Sequence, residues 1–151
     1  MPDFLETTVD KFIFRVATDR LYSPDGLWVL EEEEGAHVRL GVTDYQQQLN
    51  GDVAFAHLQP VGTVLAIDAE FAEVETIKAT VSFASPVTGK IVVINGELDL
   101  TPEAVNQEPY GQGWLVVIEP TCWPAERTKL LNAESYLSLM RSQAEEELKK
   151  S

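Results

Sequence analysis

The feature that most constrains the fold of this chain is a series of short apolar runs between Lys11 and about Pro120. Gly, Pro, Asn or Asp interrupts these runs roughly every 8 to 12 residues, a spacing typical of short strands joined by tight turns. We therefore predict a mainly β fold, either a sandwich or a small barrel. The predicted strands are Phe12–Val16, Leu27–Glu31, Ala36–Gly41, Asp52–His57, Thr63–Ile67, Phe71–Thr76, Val81–Ala84, Lys90–Ile94 and Gly113–Ile118.

Two short helices are predicted within the β region. Thr43-Asp44-Tyr45-Gln46 offers a hydroxyl cap with Gln three residues later, so a helix should run through Leu49. Thr101-Pro102-Glu103 places a capping residue before a proline at the first helical position. One or two helical turns should therefore follow before Gly111.

The clearest predicted helix is C-terminal and begins at about Asn132. One of its faces is apolar, and charge is concentrated after that face ends. The apolar positions are Tyr136, Leu137, Leu139 and Met140. We expect the early turns to pack on the sandwich and the helix to fray past Gln143.

Length and charge narrow the classes of function. The 151 residues suffice for one domain, so we expect residues 1–151 to form a single unit. Asp and Glu number 25 against 11 Lys and Arg, and this net charge of −14 argues against nucleic-acid and anionic-membrane partners. No segment approaches the roughly 20 apolar residues of a membrane span, and no secretory signal is recognisable. We expect a cytoplasmic protein.

Few residues could support an independent active site. Cys122 is the only cysteine, and the two histidines are His37 and His57, distant from it in sequence. No Gly-rich phosphate loop, nucleophile elbow or His-Glu-x-x-His motif is present, and no convergent set of metal ligands is visible. We therefore expect no catalytic residues, no metal and no enzyme activity of the chain alone.

The most informative residue is Lys78. It follows the β-rich run Glu73–Thr76, precedes Thr80-Val81, and lies before the turn Ser85-Pro86-Val87-Thr88-Gly89. This arrangement predicts Lys78 at or near the tip of a hairpin, with its amine in solvent. Such a lysine suits covalent modification, because an attaching enzyme can reach it while rigid strands fix its root. A solubilising surface lysine is the alternative.

Five blocks of sequence resemble the glycine cleavage H-protein family, in the family's order and spacing. Glu75-Thr76-Ile77-Lys78-Ala79 resembles its Glu-Ser-Val-Lys-Ala signature, and Ser85-Pro86-Val87-Thr88-Gly89 resembles its Ser-Pro-Val-Ser-Gly turn. The block Gly41-Val42-Thr43-Asp44-Tyr45-Gln46 is similar to its Gly-Ile-Thr-Asp-Tyr-Ala segment. Gly51-Asp52-Val53 with Val61-Gly62 fits the strand and turn that follow. The fifth block is Val105-Asn106-Gln107-Glu108-Pro109-Tyr110-Gly111-Gln112-Gly113-Trp114-Leu115.

The resemblance implies a hammerhead-type barrel sandwich, like lipoyl and biotinyl domains, with lipoate attached to Lys78. It also implies that an aminomethyl group is shuttled from glycine decarboxylase (P protein) to aminomethyltransferase (T protein). Dihydrolipoyl dehydrogenase (L protein) would then reoxidise the arm. A lipoate ligase or lipoyl transferase would recognise Glu75, Thr76, Ile77 and Ala79 around the lysine.

The chain departs from the family pattern near its start. Family members usually read Tyr-x-x-Ser/Thr-His-Glu-Trp, where polar side chains line a cleft for the loaded arm, but here Gly26 and Leu27 replace His and Glu. An amine-bearing arm needs a polar partner that Leu27 does not supply. We take Leu27 and Asp25 as the candidate cleft residues, with Asp25 as the substitute carboxylate. Residues 1–16 are an N-terminal extension, and about 132–151 form the C-terminal helix and acidic tail.

Three alternatives remain open at this point. A lipoate-binding protein of a heterodisulfide-reductase-like sulfur oxidation system would keep the arm and carry sulfur, which the Gly26-Leu27 change favours. A biotin carrier would have methionines beside the lysine, whereas Lys78 lies between Ile77 and Ala79. An unmodified interaction module would keep the sandwich without the arm.

Overall fold

The structure, a computed structural model, describes residues 2–150 and is built mainly from antiparallel strands. Eleven strands are assigned within this range. They are β1 (Phe4–Val9), β2 (Phe12–Ala17), β3 (Leu21–Tyr22), β4 (Leu27–Glu32), β5 (His37–Val42), β6 (Val53–Leu58), β7 (Val64–Leu65), β8 (Glu70–Thr76), β9 (Thr80–Ala84), β10 (Gly89–Ile94) and β11 (Val116–Pro120).

The strands form three sheets. A six-stranded sheet has the order β3-β4-β5-β11-β10-β7, a three-stranded sheet has the order β6-β8-β9, and β1 pairs with β2 alone. Buried side chains from the two larger sheets meet in one core, to which β5 contributes Leu40, β11 contributes Ile118 and β8 contributes Phe71. This burial of alternate residues is what the short apolar runs require, because successive side chains of a strand point to opposite faces.

Close packing explains the glycine of the Ser-Pro-x-x-Gly block. A Cβ added to Gly89 would lie 2.3 Å from the carbonyl oxygen of Glu119 on the paired strand β11. The preceding turn is held by Ser85, whose hydroxyl donates to the carbonyl of Val87 at 2.7 Å. The block therefore returns the chain from β9 into β10.

Four α-helices and two 3₁₀ helices complete the described chain. The α-helices are α1 (Asp44–Asn50), α2 (Ala104–Gln107), α3 (Trp123–Arg127) and α4 (Ala133–Lys150), and the 3₁₀ helices are Glu33–Gly35 and Gly96–Asp99. The prediction for α1 is confirmed: the Thr43 hydroxyl accepts the amide of Gln46. The second helix begins later than predicted, because Thr101–Glu103 forms hydrogen-bonded turns and no side chain caps α2. No helix in residues 2–150 is long and apolar enough to span a membrane.

The prediction that the C-terminal helix frays past Gln143 was wrong. Helix α4 continues to Lys150, and Ala144 is buried together with Tyr136 and Met140. The partner that sequence reasoning lacked is the N-terminal hairpin, which packs against α4. Arg141 also donates from Nη1 to the hydroxyl of Thr7 at 2.9 Å.

The N-terminal hairpin β1–β2 was only half predicted, since β1 was not recognised as a strand. Val9 pairs with Phe12 across the two-residue turn Asp10-Lys11, in which Asp10 adopts φ 57°. The Phe14 ring packs edge-on against Tyr45 of α1, with ring centroids 5.2 Å apart. The hairpin is therefore a packed part of the fold.

Several other boundaries differ from prediction. The strand predicted at Thr63–Ile67 is confined to Val64–Leu65, and the one predicted at Gly113–Ile118 begins at Val116. Helix α3 was not predicted from the sequence. Its first residue, Trp123, is buried in the main core.

Two buried tyrosines, Tyr22 and Tyr136, and the partly buried Tyr110 should make folding sensitive to alkali. Burial raises the pKa of Tyr22, Tyr110 and Tyr136 above the usual value of about 10. A raised pKa in the folded state gives stability that is full below about pH 10 and is lost as the pH rises towards the folded value. We expect the free energy of unfolding, measured by urea titration, to fall as the pH rises above about 10.

Tyr136→Phe separates this effect from lysine deprotonation in the same range. The Tyr136 hydroxyl lies 3.0 Å from the Thr43 hydroxyl, and its ring stacks on Tyr22 at 4.6 Å. The variant should lose about 0.5–1.5 kcal/mol at neutral pH, because a buried hydrogen bond is removed. Its stability should then depend less on pH in alkali, and an unchanged pH dependence would contradict the assignment.

Candidate functional site

Lys78 lies at the tip of the hairpin formed by β8 and β9. Glu75 pairs with Thr80 at the end of the ladder, and the backbone amide of Thr76 donates to the carbonyl of Ala79 at 2.8 Å. The side chain of Lys78 is exposed. Within residues 2–150 its Nζ takes part in no hydrogen bond or ion pair. The arrangement leaves the amine accessible to an enzyme.

The Thr76 hydroxyl organises the backbone on which Lys78 stands. It accepts the amide of Lys78 at 3.2 Å and that of Ala79 at 3.1 Å, and it donates to the carbonyl of Ala79 at 3.1 Å. A side chain that satisfies the amides of a tight turn fixes its conformation. The Lys78 side chain is thus exposed to solvent and starts from a hydrogen-bonded backbone.

The stem of Lys78 lies over the loop between α1 and β6. A Cβ built on Gly51 would be 3.5 Å from Cε of Lys78, so the two residues are neighbours. Gly51 has φ 88° and ψ −170°, a backbone region that is essentially restricted to glycine. This glycine therefore permits the loop conformation beside the lysine.

Asn106 fixes the same loop from the other side. Its Oδ1 accepts the amide of Val53 at 2.9 Å, and its Nδ2 donates to the carbonyl of Gly51 at 2.9 Å and to Oε1 of Gln47 at 3.1 Å. Sequence reasoning placed Asn106 in a motif but gave it no role. Its spatial link to Lys78 passes through residues more than 50 positions away, which a single sequence does not show.

The other residues predicted around the lysine differ in their exposure and in their contacts. Glu75 contacts His57 of β6, with Oε1 and Nε2 3.3 Å apart, so the two form an ion pair when the imidazole is protonated. Ile77 is 79% exposed, an unusual position for a large apolar side chain. Ala79 is exposed as well. His57 was not singled out as a site residue from the sequence.

The two predicted cleft residues lie in different environments, one in a surface groove and one in the core. Asp25 lines an open groove of about 600 Å³ with Tyr45, Gln46 and Gln143. Leu27 does not, because it is completely buried in the main core. Its candidacy for the cleft is corrected accordingly: an apolar side chain at this position is drawn into the sandwich.

The turn at Lys78 gives a direct test of the Thr76 contacts. Thr76→Val should speed hydrogen exchange at the amides of Lys78 and Ala79 and cost about 0.5–1.5 kcal/mol in urea unfolding, because both amides lose their acceptor. Thr76→Ser keeps the hydroxyl and serves as the matched control. Equal exchange in the valine and serine variants would show that the hydroxyl does not hold the turn.

Comparison with known proteins agrees with this geometry. The model of the glycine cleavage H-protein family matches residues 20–143. A glycine cleavage system H protein from Oceanobacillus iheyensis is 41% identical over 118 residues, covering 78% of this chain and 91% of that protein. One from Edwardsiella ictaluri is 42% identical over 125 residues, covering 83% and 96%.

The fold agrees as well. A crystal structure of a glycine cleavage system H protein from Mycobacterium marinum matches with a TM-score of 0.71 and 30% identity, covering 80% of this chain and 95% of that one. This likeness confirms the predicted hammerhead-type barrel sandwich with short helices and a C-terminal helix. With both sequence and fold in agreement, the chain belongs to the glycine cleavage H-protein family.

Proposed function

We propose that Lys78 carries lipoate in amide linkage and that the chain is the carrier subunit of a glycine cleavage system. The observation that supports this most directly is the exposed, unpaired amine of Lys78 on a turn whose backbone is held by Thr76. The family assignment supports the pathway.

The residues at the turn fit the group. Forming the amide removes the charge of the lysine, which costs little here because the side chain is exposed to solvent. Bound at this position, lipoate supplies a dithiolane that accepts an aminomethyl group at one enzyme and releases it at another. The chain contributes a fixed attachment point, which raises the effective concentration of the group at each partner site.

Recognition by a lipoate ligase or lipoyl transferase is proposed for the hairpin tip. Ile77 and Ala79 flank the lysine and are exposed, so an attaching enzyme can contact both directly. Glu75 is 42% exposed in its side chain and offers a carboxylate two strand positions from the turn. Thr76 would act indirectly, because its hydroxyl already accepts hydrogen bonds from the backbone amides of the turn.

The proposed partners are the glycine decarboxylase, the aminomethyltransferase and the dihydrolipoyl dehydrogenase of the same system. A net charge of −14 suits long-range attraction to basic entrances on such enzymes. The chain itself would catalyse none of the steps. Asp25 is proposed as a polar wall of a groove that it lines with Gln46 and Gln143.

A sulfur-carrying role is the second candidate. It is favoured by one observation, the burial of Leu27 at the position where family members usually have an acid. Leu27 therefore supplies no carboxylate to a cationic amine, although Asp25, Glu146 and Glu147 line the groove. The two relatives compared above are glycine cleavage system H proteins, so we rank the sulfur role second.

Attachment is tested by intact mass after incubation with a lipoate ligase and lipoate. We expect the mass of one lipoyl group to be added, and the addition to be lost in Lys78→Arg because the guanidinium does not form the amide. Lys90→Arg removes another exposed lysine and should be modified normally. Modification of the Lys78→Arg chain, or none of the parent chain, would refute the proposal.

The cargo is tested by incubating the fully lipoylated chain with glycine decarboxylase and glycine. We expect release of carbon dioxide and a mass increase of one aminomethyl group, because the arm is the acceptor. Lys78→Arg should give neither. Full lipoylation without transfer would move the assignment to the sulfur-carrying role.

A further inference from the structure

Strand β1 leaves one edge of the N-terminal hairpin open. It pairs with β2 on one side, and no second strand adjoins it within residues 2–150. In an antiparallel pair, alternate residues exchange main-chain hydrogen bonds with the partner strand, while the residues between them direct their amide and carbonyl outward. The Thr18 amide donates to the carbonyl of Asp3 at 2.9 Å, so the odd-numbered residues of β1 point inward. The outward groups are therefore those of Phe4, Glu6 and Thr8.

The opposite edge of the same hairpin, along β2, is closed by side chains. Gln48 of α1 donates to the carbonyl of Ile13 at 3.0 Å. The amide of Arg15 donates to Oδ2 of Asp44 at 2.9 Å, and the carbonyl of Arg15 accepts the Tyr110 hydroxyl at 2.7 Å. These outward groups of β2 are thus paired within the fold.

No side chain closes the β1 edge in this way. Among the described residues, no hydrogen bond from another element reaches the outward main-chain groups of Phe4, Glu6 or Thr8. Buried main-chain groups are almost always paired, so these unpaired groups face water. All three residues are exposed. The edge can therefore form further main-chain hydrogen bonds without first breaking any.

The β1 edge also lacks the features that usually keep an edge strand from pairing. Such strands are blunted by lysine, proline or a bulge, whereas Phe4–Val9 contains neither residue and pairs with β2 without a register shift. Its one charged side chain, Glu6, lies 3.1 Å from Nε of Arg15. The strand is held extended because Thr7 and Val9 are buried, with Val9 in the same cluster as Ala144 of α4. It is preorganised to accept a neighbour.

We propose that β1 binds an extended segment of a partner protein by antiparallel strand addition. A second copy of this chain is disfavoured, because two molecules that each carry a net charge of −14 repel one another. A residue opposite Glu6 would lie beside its carboxylate, which favours Lys or Arg, and one opposite Phe4 is best aromatic or β-branched. The partner segment is therefore basic and β-prone.

This binding surface lies outside the region that the family model matches, since the match begins at residue 20. It is an addition to the family fold. The inference involves neither Lys78 nor a group attached to it, so it does not depend on the proposed function.

A synthetic peptide and the full chain test the site by NMR. The capped peptide acetyl-Lys-Val-Thr-Arg-Val-Phe-Lys-amide places Arg opposite Glu6 and Phe opposite Phe4. It should shift the amide signals of Glu6 and Thr8 and slow their hydrogen exchange about tenfold at a concentration ten times its Kd, because both amides gain an acceptor. The amides of Val64 and Leu100, two other exposed residues, should not respond.

The same peptide N-methylated at Arg and Phe is the control for main-chain pairing. It keeps the charge and the side chains but loses the amide hydrogens that face β1, so it should not bind. Equal binding of the two peptides would overturn the inference, because attraction between opposite net charges would then explain both.

A charge exchange tests the register. Glu6→Lys should reverse the preference of the chain, so that a peptide with Glu in place of Arg binds about two- to fivefold more tightly than the original peptide. Glu97→Lys makes the same change of net charge at another exposed position and should leave the preference for Arg unchanged. An identical response of the two variants would contradict pairing at Glu6.

Thr8→Pro should close the edge. The Thr8 amide points away from β2, so proline there removes an outward donor and spares the hairpin ladder. We expect peptide binding to weaken at least about tenfold. If this variant fails to fold, the N-methylated peptide and the charge exchange still decide. A dimer of the unsubstituted chain in sedimentation equilibrium that the peptide dissociates would assign the edge to a second copy and overturn the proposal.

Discussion

The structure depends on a constraint at one turn: a side chain that must move freely has to begin from a backbone that does not. Thr76 fixes this backbone from within the turn, because its hydroxyl accepts hydrogen bonds from two consecutive amides. The neighbouring loop is fixed by two residues. Gly51 adopts a backbone conformation that favours glycine beside the Lys78 side chain, and the side-chain amide of Asn106 donates to the Gly51 carbonyl. The three-stranded sheet β6-β8-β9 then holds both pieces of chain in register.

The conserved fold and the additional segments are joined by aromatic residues. Tyr110 donates its hydroxyl to the carbonyl of Arg15 at 2.7 Å and accepts the amide of Asp44, which connects the Pro-Tyr-Gly segment, β2 and α1. Trp28 donates to the carbonyl of Pro109 at 2.8 Å, and the Arg20 guanidinium lies 4.6 Å from the centre of its ring. The two contacts of Tyr110 hold the N-terminal hairpin and the start of α1 to the Pro-Tyr-Gly segment.

The sequence predicted the elements whose signals are local. The Thr43 cap of α1 follows from a few adjacent residues, and the mainly β class from apolar runs between turn residues. The β-rich runs on either side of Lys78 predicted the hairpin tip, and the resemblance supplied the fold family. The regular structure of the two terminal segments could not be predicted in this way, because β1 and the last turns of α4 are stabilised by each other. Leu27 failed as a cleft residue for a related reason, since its burial is set by the opposing sheet.

The pairing of the N-terminal hairpin with the end of α4 has a consequence for how the protein is divided. The region of homology ends at residues 20 and 143, but the buried cluster crosses both limits through Phe14 and Ala144. A fragment trimmed to the homologous region would lose the Phe14 ring that packs on Tyr45 and expose apolar surface to water. The region that matches the family is therefore smaller than the packed domain. A fragment with boundaries taken from that match alone would lack part of a buried cluster.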